Sequence, residues 1–256
     1  MRIAVALRTC GAVFNHWGHP HRLGSDDKST VILTCLHSLL SAITASGHEV
    51  VFSIHDDSSS ENLLRCMGEL CQRFNVPGDL IESGKHNNFK TQYEWIKQQD
   101  YDYAYCVEDD YLHHSTSLNE MINMCEYMRD FFPGEYAVFP FNSPHRYNDP
   151  NLFYPSYVIR GSTRYWRSSL HSTHTFFVSK ATFDEYDHVM QTQAYNWPNL
   201  NAVEDQTINK IWHEQKIRLL CPLDSLAWHI ADESQEDTLG NWKPHWDENL
   251  TEEWLI

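Results

Sequence analysis

Apolar and polar residues alternate in blocks along the first half of the chain, and this pattern predicts alternating strands and helices. Short apolar runs predict strands over 3–7, 50–54, 80–81 and 103–107. Apolar residues at helical spacing predict helices over 31–45, 61–74, 90–99 and 118–131. This order predicts an α/β fold with a mostly parallel central sheet flanked by helices. Ligands of such sheets bind beyond the carboxyl ends of the strands.

The second half of the chain has a less regular pattern. It predicts strands over 136–141, 175–178, 218–221 and 226–230, and a helix over 205–215. The stretch 142–171 contains three prolines among arginines and aromatic residues, which favours a long ordered loop. Beyond Asp232 the chain is acidic and carries three tryptophans. We expect a single domain over 1–232, followed by a tail over 233–256 that packs on it.

Charge and cysteine content narrow the classes of protein. The net charge of −16 argues against a protein that coats a nucleic acid backbone, although 142–171 carries four arginines against one aspartate. The seven cysteines are scattered without a C-x-x-C pair, which favours reduced, buried thiols in a cytoplasmic protein, of a bacterium or an infected host. We also expect no membrane span and no signal peptide.

Three consecutive acids are the strongest chemical signal in the chain. Glu108, Asp109 and Asp110 directly follow the strand predicted over 103–107. Adjacent carboxylates repel one another and are costly to desolvate unless a positive group joins them. A divalent cation that carries phosphates is a suitable partner at a strand end. A solvated turn before the next helix is the plainer interpretation.

Other polar residues lie at the ends of predicted elements. They are Arg8 and Thr9 after the first strand, Asp56 and Asp57 after the second, Glu204 and Asp205 at a helix start, and His229 at the end of the last strand. Each has a structural alternative. The aspartates of the second strand are also suited to helix capping, the later acids to a favourable position on the helix dipole, and the histidine to the core.

The order of these motifs resembles a known family. Arg-Thr at 8–9, His-Asp-Asp-Ser-Ser-Ser at 55–60, Lys-Thr-Gln-Tyr at 90–93 and Glu-Asp-Asp at 108–110 are similar to motifs of GT-A nucleotide-sugar glycosyltransferases, especially the family 2-like branch. The resemblance implies a GT-A (Rossmann-like) domain with a nucleotide-sugar half over 1–111, an acceptor half over 112–232 and a small irregular acceptor-side region. A Gln-x-x-Arg-Trp motif is absent, so the expected reaction is transfer of a single sugar.

The resemblance also implies roles for individual residues. The nucleotide sugar, with a UDP-sugar favoured, would be bound by Arg8, Thr9, Asp56, Asp57, Lys90 and Asp109. Mn²⁺ or Mg²⁺ would be held by Asp110, Glu108 and His229. Asp205 would deprotonate the acceptor hydroxyl with help from Glu204, and a single base implies inversion at the anomeric carbon.

The acceptor is the least defined part of this prediction. Arg160, Arg164, Trp166 and Arg167 are candidates for acceptor or phosphate binding, because arginine suits phosphate and aromatic faces suit sugars or bases. Their plainer role is to neutralise acids of the same chain. The acceptor would be a glycan or, as in some bacteriophage enzymes, hydroxymethylated DNA.

Two functions of other classes stay open. A nucleotidyltransferase should carry a Gly-rich basic loop after the first strand, and Cys10-Gly11-Ala12-Val13 is a poor version of one. An inactive nucleotide-sugar-binding module would share every motif except a working base.

Overall fold

The chain forms a mixed α/β domain in a computed structural model that describes residues 1–11, 23–25, 27–84, 87–143, 155–196, 207–214, 217–230 and 241–250. The strands are β1 Arg2–Thr9, β2 Glu49–Asp56, β3 Gly78–Glu82, β4 Tyr103–Glu108, β5 Tyr111–His113, β6 Tyr136–Val138, β7 Val158–Arg160, β8 Tyr165–Ser169, β9 Phe176–Ser179, β10 Arg218–Pro222 and β11 Ala227–His229. The helices are α1 Lys28–Ser46, α2 Glu61–Arg73, α3 Asn88–Gln98, α4 Ser117–Phe131, α5 Lys180–Asn196, α6 Ile208–His213 and α7 Lys243–Asn249.

Nine of the described strands form one sheet in the order β3-β2-β1-β4-β9-β6-β10-β8-β7. Strands β1 to β4 are mutually parallel, and of these nine described strands only β8 and β9 run against the common direction. A separate ribbon pairs β5 with β11. The predicted fold class, a mostly parallel sheet flanked by helices, is therefore confirmed.

The helices cover the sheet and bury its apolar side chains. Helix α1 packs against α2, α4 and α7, whereas α3 packs against β1, β2 and α5. Strands β1 and β4 lie in the centre of the sheet, and Ile3 and Val107 on them have no exposed surface. Strands buried on both faces read as continuous apolar runs, which is why these two were visible in the sequence.

Helix α1 is the most buried helix. Its first turn is capped by Asp27, whose carboxylate accepts from the N–H groups of Ser29 and Thr30, and it ends at Gly47 with φ of 66°. By length and composition alone α1 could cross a membrane, but 72% of its most apolar window is buried inside the domain. Such a helix is also typical of the core of a globular protein.

The structure corrects three expectations for the chain after the acidic triplet. The stretch predicted to be one long loop contains the hairpin β7–β8. Helix α5 was missed, although Phe183, Tyr186 and Met190 follow helical spacing and are buried. The strand predicted over 136–141 ends at Val138, since Pro140 cannot donate to a ladder.

The C-terminal helix α7 packs on the domain through its tryptophans. Trp242 and Trp246 are buried, and Trp246 lies against Gly24 just before α1. His245 stacks on Trp228 of β11 at 4.7 Å between ring centroids. Asn249 adds a polar contact of 2.9 Å to Nδ1 of His37 on α1. The helix thus contacts both the start of α1 and the ribbon.

The cysteines lie largely in the interior, and all except Cys10 are buried. All seven cysteines lie in the described part of the chain, and none of them forms a disulfide. Burial raises the pKa of Cys71 to about 11, so this thiol stays protonated at neutral pH.

Candidate functional site

The carboxyl edge of the sheet brings the predicted polar residues of three strands together. Thr9 lies opposite Asp56 in the pairing of β1 with β2, and Arg8 lies opposite Glu108 in the pairing of β1 with β4. Strand β9 enters the same edge from the other side, where Thr175 Oγ1 accepts from the N–H of Glu108 at 3.1 Å. The parallel pairing predicted from the sequence is what gathers these ends.

Asp56 is the centre of a tight hydrogen-bond network at this edge. Its Oδ1 accepts from Thr9 Oγ1 at 2.7 Å and from Ser59 Oγ at 2.5 Å, and its Oδ2 accepts from Ser59 N at 2.9 Å. Ser59 Oγ in turn accepts from Gly11 N at 3.0 Å. The network ties the ends of β1 and β2 into one rigid corner.

Asp57 continues this corner. Its N–H donates to the carbonyl of Thr9 at 2.9 Å, and its Oδ1 accepts from Ser58 Oγ at 2.7 Å. Ser58 has φ of 67°, an uncommon left-handed conformation for a residue other than glycine. Strained backbone of this kind clusters at ligand sites, which makes the 56–59 turn a candidate for nucleotide contact.

The buried side chain of His55 lies next to this corner and joins β2 to α3. His55 Nε2 contacts Ser53 Oγ at 2.8 Å, and its Nδ1 contacts Thr91 Oγ1 at 3.1 Å. Burial lowers the pKa of His55 to about 4, with a smaller opposing effect of Asp79. The neutral ring fixes the first turn of α3, where Lys90 has a 41% exposed side chain and lies 3.9 Å from Glu94.

The first two acids of the triplet are engaged by basic side chains. Glu108 accepts from Arg8 at 2.6 Å, and the guanidinium of Arg8 also lies 3.4 Å from the ring centroid of Phe89. Asp109 Oδ1 accepts from Lys28 Nζ at 2.5 Å, and its Oδ2 accepts from Cys10 N at 2.8 Å. Burial raises the pKa of Asp109, whereas the Lys28 ammonium opposes that shift.

The third acid faces the ribbon. Asp110 Oδ1 lies 3.4 Å from His229 Nε2, and the carbonyl of Asp110 accepts from Ile230 N at 2.7 Å. The imidazole stacks on Tyr111 at 4.8 Å and 20° between ring planes. Tyr111 is itself held by a 2.7 Å contact of its hydroxyl with Thr173 Oγ1. The orientation of His229 is therefore set by the ribbon.

Asp110 and His229 are a suitable donor pair for one divalent cation. Two atoms that ligate the same Mg²⁺-sized ion at about 2.1 Å are at most about 4.2 Å apart, and these two satisfy that limit. Carboxylate oxygen suits Mg²⁺ and Mn²⁺, and imidazole is a common metal ligand. Within the described residues no group of three or more His, Cys, Asp or Glu could hold a metal. The pair alone would leave most coordination positions to water or substrate phosphates.

The predicted catalytic residues lie outside the described residues. Glu204 and Asp205 precede α6, whose first described neighbour is Thr207. Helix α6 itself is anchored near the site, because Asn209 Oδ1 accepts from Ser172 N at 2.9 Å and Trp212 Nε1 donates to Ser172 Oγ at 3.0 Å. Their role as base and assistant stays a prediction.

The four predicted acceptor residues lie on the β7–β8 hairpin, at one end of the strand order of the nine-stranded sheet. Four strand steps separate β4 from β8, about 19 Å at the usual spacing. Trp166 is 1% exposed and packs beside Gly161. Arg164 binds Glu120 through two nitrogens at 2.8 and 2.7 Å, and Arg167 donates to Asn142 Oδ1 at 3.0 Å.

Only Arg160 of this set has an exposed side chain, while the buried members contribute to packing. Contact of any of the four with an acceptor stays a prediction.

Several residues that shape the site were not expected from the sequence. Lys28, Ser59, Asn88 and Thr175 all contact the predicted site residues or their backbone. Ser59 belongs to a serine run that the sequence did mark as polar. Lys28 carries no local signal, since it meets Asp109 only through the tertiary fold.

Comparison with known proteins supports the fold. No family model and no curated protein sequence matches the chain. Among solved structures, S. aureus TarS matches with a TM-score of 0.53 and 12% identity, over 100% of this chain and 43% of that chain. The 1–349 fragment of TarS matches at 0.52 with 13% identity, and its complex with UDP at 0.50 with 13% identity, each over 100% of this chain and 71% of that chain.

A further solved structure is more distant, and the longer TarS chain extends well beyond the matched part. A CMP:2-keto-3-deoxy-manno-octonic acid synthetase complexed with CTP matches with a TM-score of 0.47 and 9% identity, over 86% of this chain and 90% of that chain, which is too remote to support an argument. The chain spans less than half of the longer TarS chain. TarS is a GT2-family glycosyltransferase, and the present chain has its GT-A-like fold.

Proposed function

We propose that the chain is a glycosyltransferase that moves one sugar from a nucleotide diphosphate sugar to an acceptor hydroxyl. The observation that carries the proposal is the position of Asp110 and His229, 3.4 Å apart, beside the Thr9–Asp56 corner in a GT-A-like fold. This arrangement offers a nucleotide end and a diphosphate end on one sheet edge. A UDP-sugar is favoured because one of the similar structures was solved with UDP.

The corner formed by Thr9, Asp56 and Asp57 would hold the nucleobase and ribose. Its buried hydrogen bonds keep backbone and carboxylate positions fixed before the donor arrives, which lowers the ordering cost of binding. Lys90, on the half-exposed first turn of α3, would pair with negative charge of the nucleotide.

Asp110 and His229 would hold Mn²⁺ or Mg²⁺, with Glu108 close by on the Arg8 side. When bound, such an ion supplies charge stabilisation for a diphosphate leaving group. Because the two side chains are 14% and 23% exposed, they are open enough to reach a ligand and buried enough to limit competition from water.

Asp205 would take the proton from the acceptor hydroxyl, with Glu204 assisting, and a single displacement at the anomeric carbon would invert its configuration. The acceptor would be a glycan, and the site of action the cytoplasm. Hydroxymethylated DNA is a less favoured acceptor, because the net charge of −16 opposes binding to a phosphate backbone.

A thermal-shift series with nucleotide sugars, with and without Mn²⁺, tests the proposal. We expect a UDP-sugar to raise the melting temperature much more with Mn²⁺ than without it, since a ligand stabilises the folded state that binds it. Asp110→Asn should lose this effect. Asp205→Asn should keep it but lose about 100-fold or more in release of UDP to an acceptor.

Other outcomes point elsewhere. Equal stabilisation in EDTA would contradict the metal assignment. Stabilisation by nucleoside triphosphates alone, with formation of a nucleotide-linked product, would indicate a nucleotidyltransferase. Unchanged turnover in Asp205→Asn would contradict the assignment of the base, and binding without turnover in the wild type would indicate an inactive module.

A further inference from the structure

Each acid of the triplet faces a different basic side chain. Glu108 meets Arg8 at 2.6 Å, Asp109 meets Lys28 at 2.5 Å and Asp110 lies 3.4 Å from His229. Three neighbouring carboxylates are thereby turned in three directions, towards β1, α1 and β11. This separation lowers the repulsion that adjacent carboxylates would otherwise exert.

The middle pair is the most deeply placed of the three. The side chains of Lys28 and Asp109 are each 9% exposed. Both carboxylate oxygens are used, one by the ammonium of Lys28 and the other by the N–H of Cys10 at 2.8 Å. Asp109 therefore joins the end of β1 to the beginning of α1, the two ends of the connection between these elements.

Lys28 lies at the well-capped start of α1. It is the first residue of a 19-residue helix, and the preceding Asp27 caps that helix through bonds to Ser29 N, Thr30 N and Thr30 Oγ1. A buried ion pair is a weak source of net stability, because desolvation of both charges offsets their attraction. A role in fixing position explains such a pair better than a role in stability.

The acidic turn has little other freedom. Strand β4 ends at Glu108 and the ribbon strand β5 begins at Tyr111, so only Asp109 and Asp110 link the sheet to the ribbon. Anchoring one of these two residues restricts the backbone of the other. The direction in which Asp110 presents its carboxylate thus depends on the hold that α1 has on Asp109.

We infer that Lys28 is a positioning residue of the donor site, which holds Asp109 so that Asp110 and His229 can engage one divalent cation. The inference rests on the proposed function. It assigns Asp109 a role in the architecture of the turn instead of a direct contact with the donor. Loss of residues that orient metal ligands typically lowers metal affinity about 10- to 100-fold.

Three variants separate positioning from stability. Lys28→Met leaves the Asp109 carboxylate buried beside an apolar chain, and Lys28→Met/Asp109→Asn removes both charges. Lys97→Met is the matched control, because Lys97 pairs with Asp187 at 2.6 Å between α3 and α5, away from the acidic turn. The measurements are Mn²⁺ binding in the presence of UDP by calorimetry, UDP binding in EDTA, and urea unfolding.

We expect the double variant to regain stability lost in Lys28→Met, since no charge is left buried alone, yet to bind Mn²⁺ about 10- to 100-fold more weakly than the wild type. The double variant should bind UDP in EDTA as the wild type does. The Lys97→Met variant should match the wild type in both binding measurements. Should Lys28→Met fail to fold, the double variant carries the test.

The outcomes distinguish the inference from the function on which it rests. Wild-type affinity for Mn²⁺ in the double variant would overturn the inference and leave the proposed function standing. Failure of the wild-type protein to bind Mn²⁺ with UDP would overturn both. Equal weakening of Mn²⁺ and metal-free UDP binding would show a general loss of structure and would also overturn the positioning role.

Discussion

Nε2 of His229 lies 3.4 Å from Oδ1 of Asp110, where the last strand of the ribbon meets the turn after β4. The two residues are far apart in sequence and are brought together by the pairing of β11 with β5. Their contact makes the ribbon a part of the candidate metal site. The stack of His229 on Tyr111, with ring centroids 4.8 Å apart, holds the imidazole in that place.

Replacement of His229 should therefore weaken metal binding more than it weakens the fold. We expect His229→Ala to lower the affinity for Mn²⁺ in the presence of UDP at least about tenfold, because one of two protein ligands is lost. Calorimetric titration measures the effect. His188→Ala, at an exposed position on α5, is the control. Unchanged Mn²⁺ affinity in His229→Ala would remove this histidine from the site.

The second prediction concerns the contact of Trp246 on α7 with Gly24. A Cβ at Gly24 would lie 2.5 Å from the ring of Trp246, and φ at this position is +79°. Gly47 has a similar φ of +66° but no atom within 4 Å of a Cβ, so it isolates the cost of the backbone conformation. We expect Gly24→Ala to lower the free energy of unfolding by about 1–3 kcal/mol more than Gly47→Ala does. Urea unfolding followed by tryptophan fluorescence checks the difference, and equal losses would show that Trp246 does not press on Gly24.

The carboxyl edge of the sheet was predictable because its strands are buried on both faces. Continuous apolar runs mark β1, β2 and β4, and parallel order places their ends together. Thr9, Asp56 and Glu108 could thus be assigned to one edge without knowledge of the structure. Their predicted functional roles were drawn from a resemblance, and these stay to be tested.

Contacts made by tertiary packing were not predictable in the same way. Lys28 and Asp109 are 81 positions apart, and the residues around Lys28 in the sequence form no pattern that predicts an ion pair with Asp109. The hairpin β7–β8 was hidden by neighbouring prolines and by exposed apolar residues on its short strands, such as Val158 and Tyr165. Arg164 looked available for phosphate, yet Glu120 in another element already binds it. Single-residue patterns report burial and local preference, whereas these pairings depend on long-range geometry.

The third prediction follows from the buried histidines. Burial lowers the pKa of His55 from 6.5 to about 4 and that of His113 to about 3. Burial keeps both rings neutral in the folded state, whereas the unfolded chain takes up protons below pH 6.5. Their contribution to the free energy of unfolding is therefore fully present above pH 6.5 and is lost as the pH falls toward the pKa of the folded state. For His55 the loss between pH 8 and pH 5 is about 2 kcal/mol.

We expect His55→Asn to be less stable than the wild type at pH 8 but to show a smaller fall in stability from pH 8 to pH 5. Urea midpoints at the two pH values measure the slope. His188→Ala, at an exposed position on α5, is the control variant and should keep the wild-type slope. A slope in His55→Asn as steep as in the wild type would contradict the burial of a neutral ring.

The fourth prediction separates two arginines of the hairpin. Arg164 donates to Glu120 at 2.8 and 2.7 Å and to the carbonyl of Asp224 at 2.8 Å, whereas Arg160 has an exposed side chain. Arg164→Met leaves a mostly buried carboxylate without its bidentate partner and should cost about 1–3 kcal/mol of unfolding free energy. Arg160→Met should change it by no more than about 0.5 kcal/mol. Similar losses in both would mean that the Arg164–Glu120 contact is not a structural link between the β7–β8 turn and α4.

The variant Arg160→Met also tests DNA as an acceptor. Each phosphate contact contributes about 0.9 to the salt dependence of duplex DNA binding, and a patch with few exposed arginines can neutralise few phosphates. We expect fluorescence anisotropy with an oligonucleotide containing hydroxymethylated bases to show no binding above background at physiological salt, because the net charge of −16 repels the backbone. Measurable binding that is weakened by Arg160→Met, with a shallower salt dependence, would instead place nucleic acid on the hairpin. Binding unaffected by Arg160→Met would indicate that DNA contacts another surface. The hairpin arginines would then lose their predicted role in binding a nucleic acid acceptor.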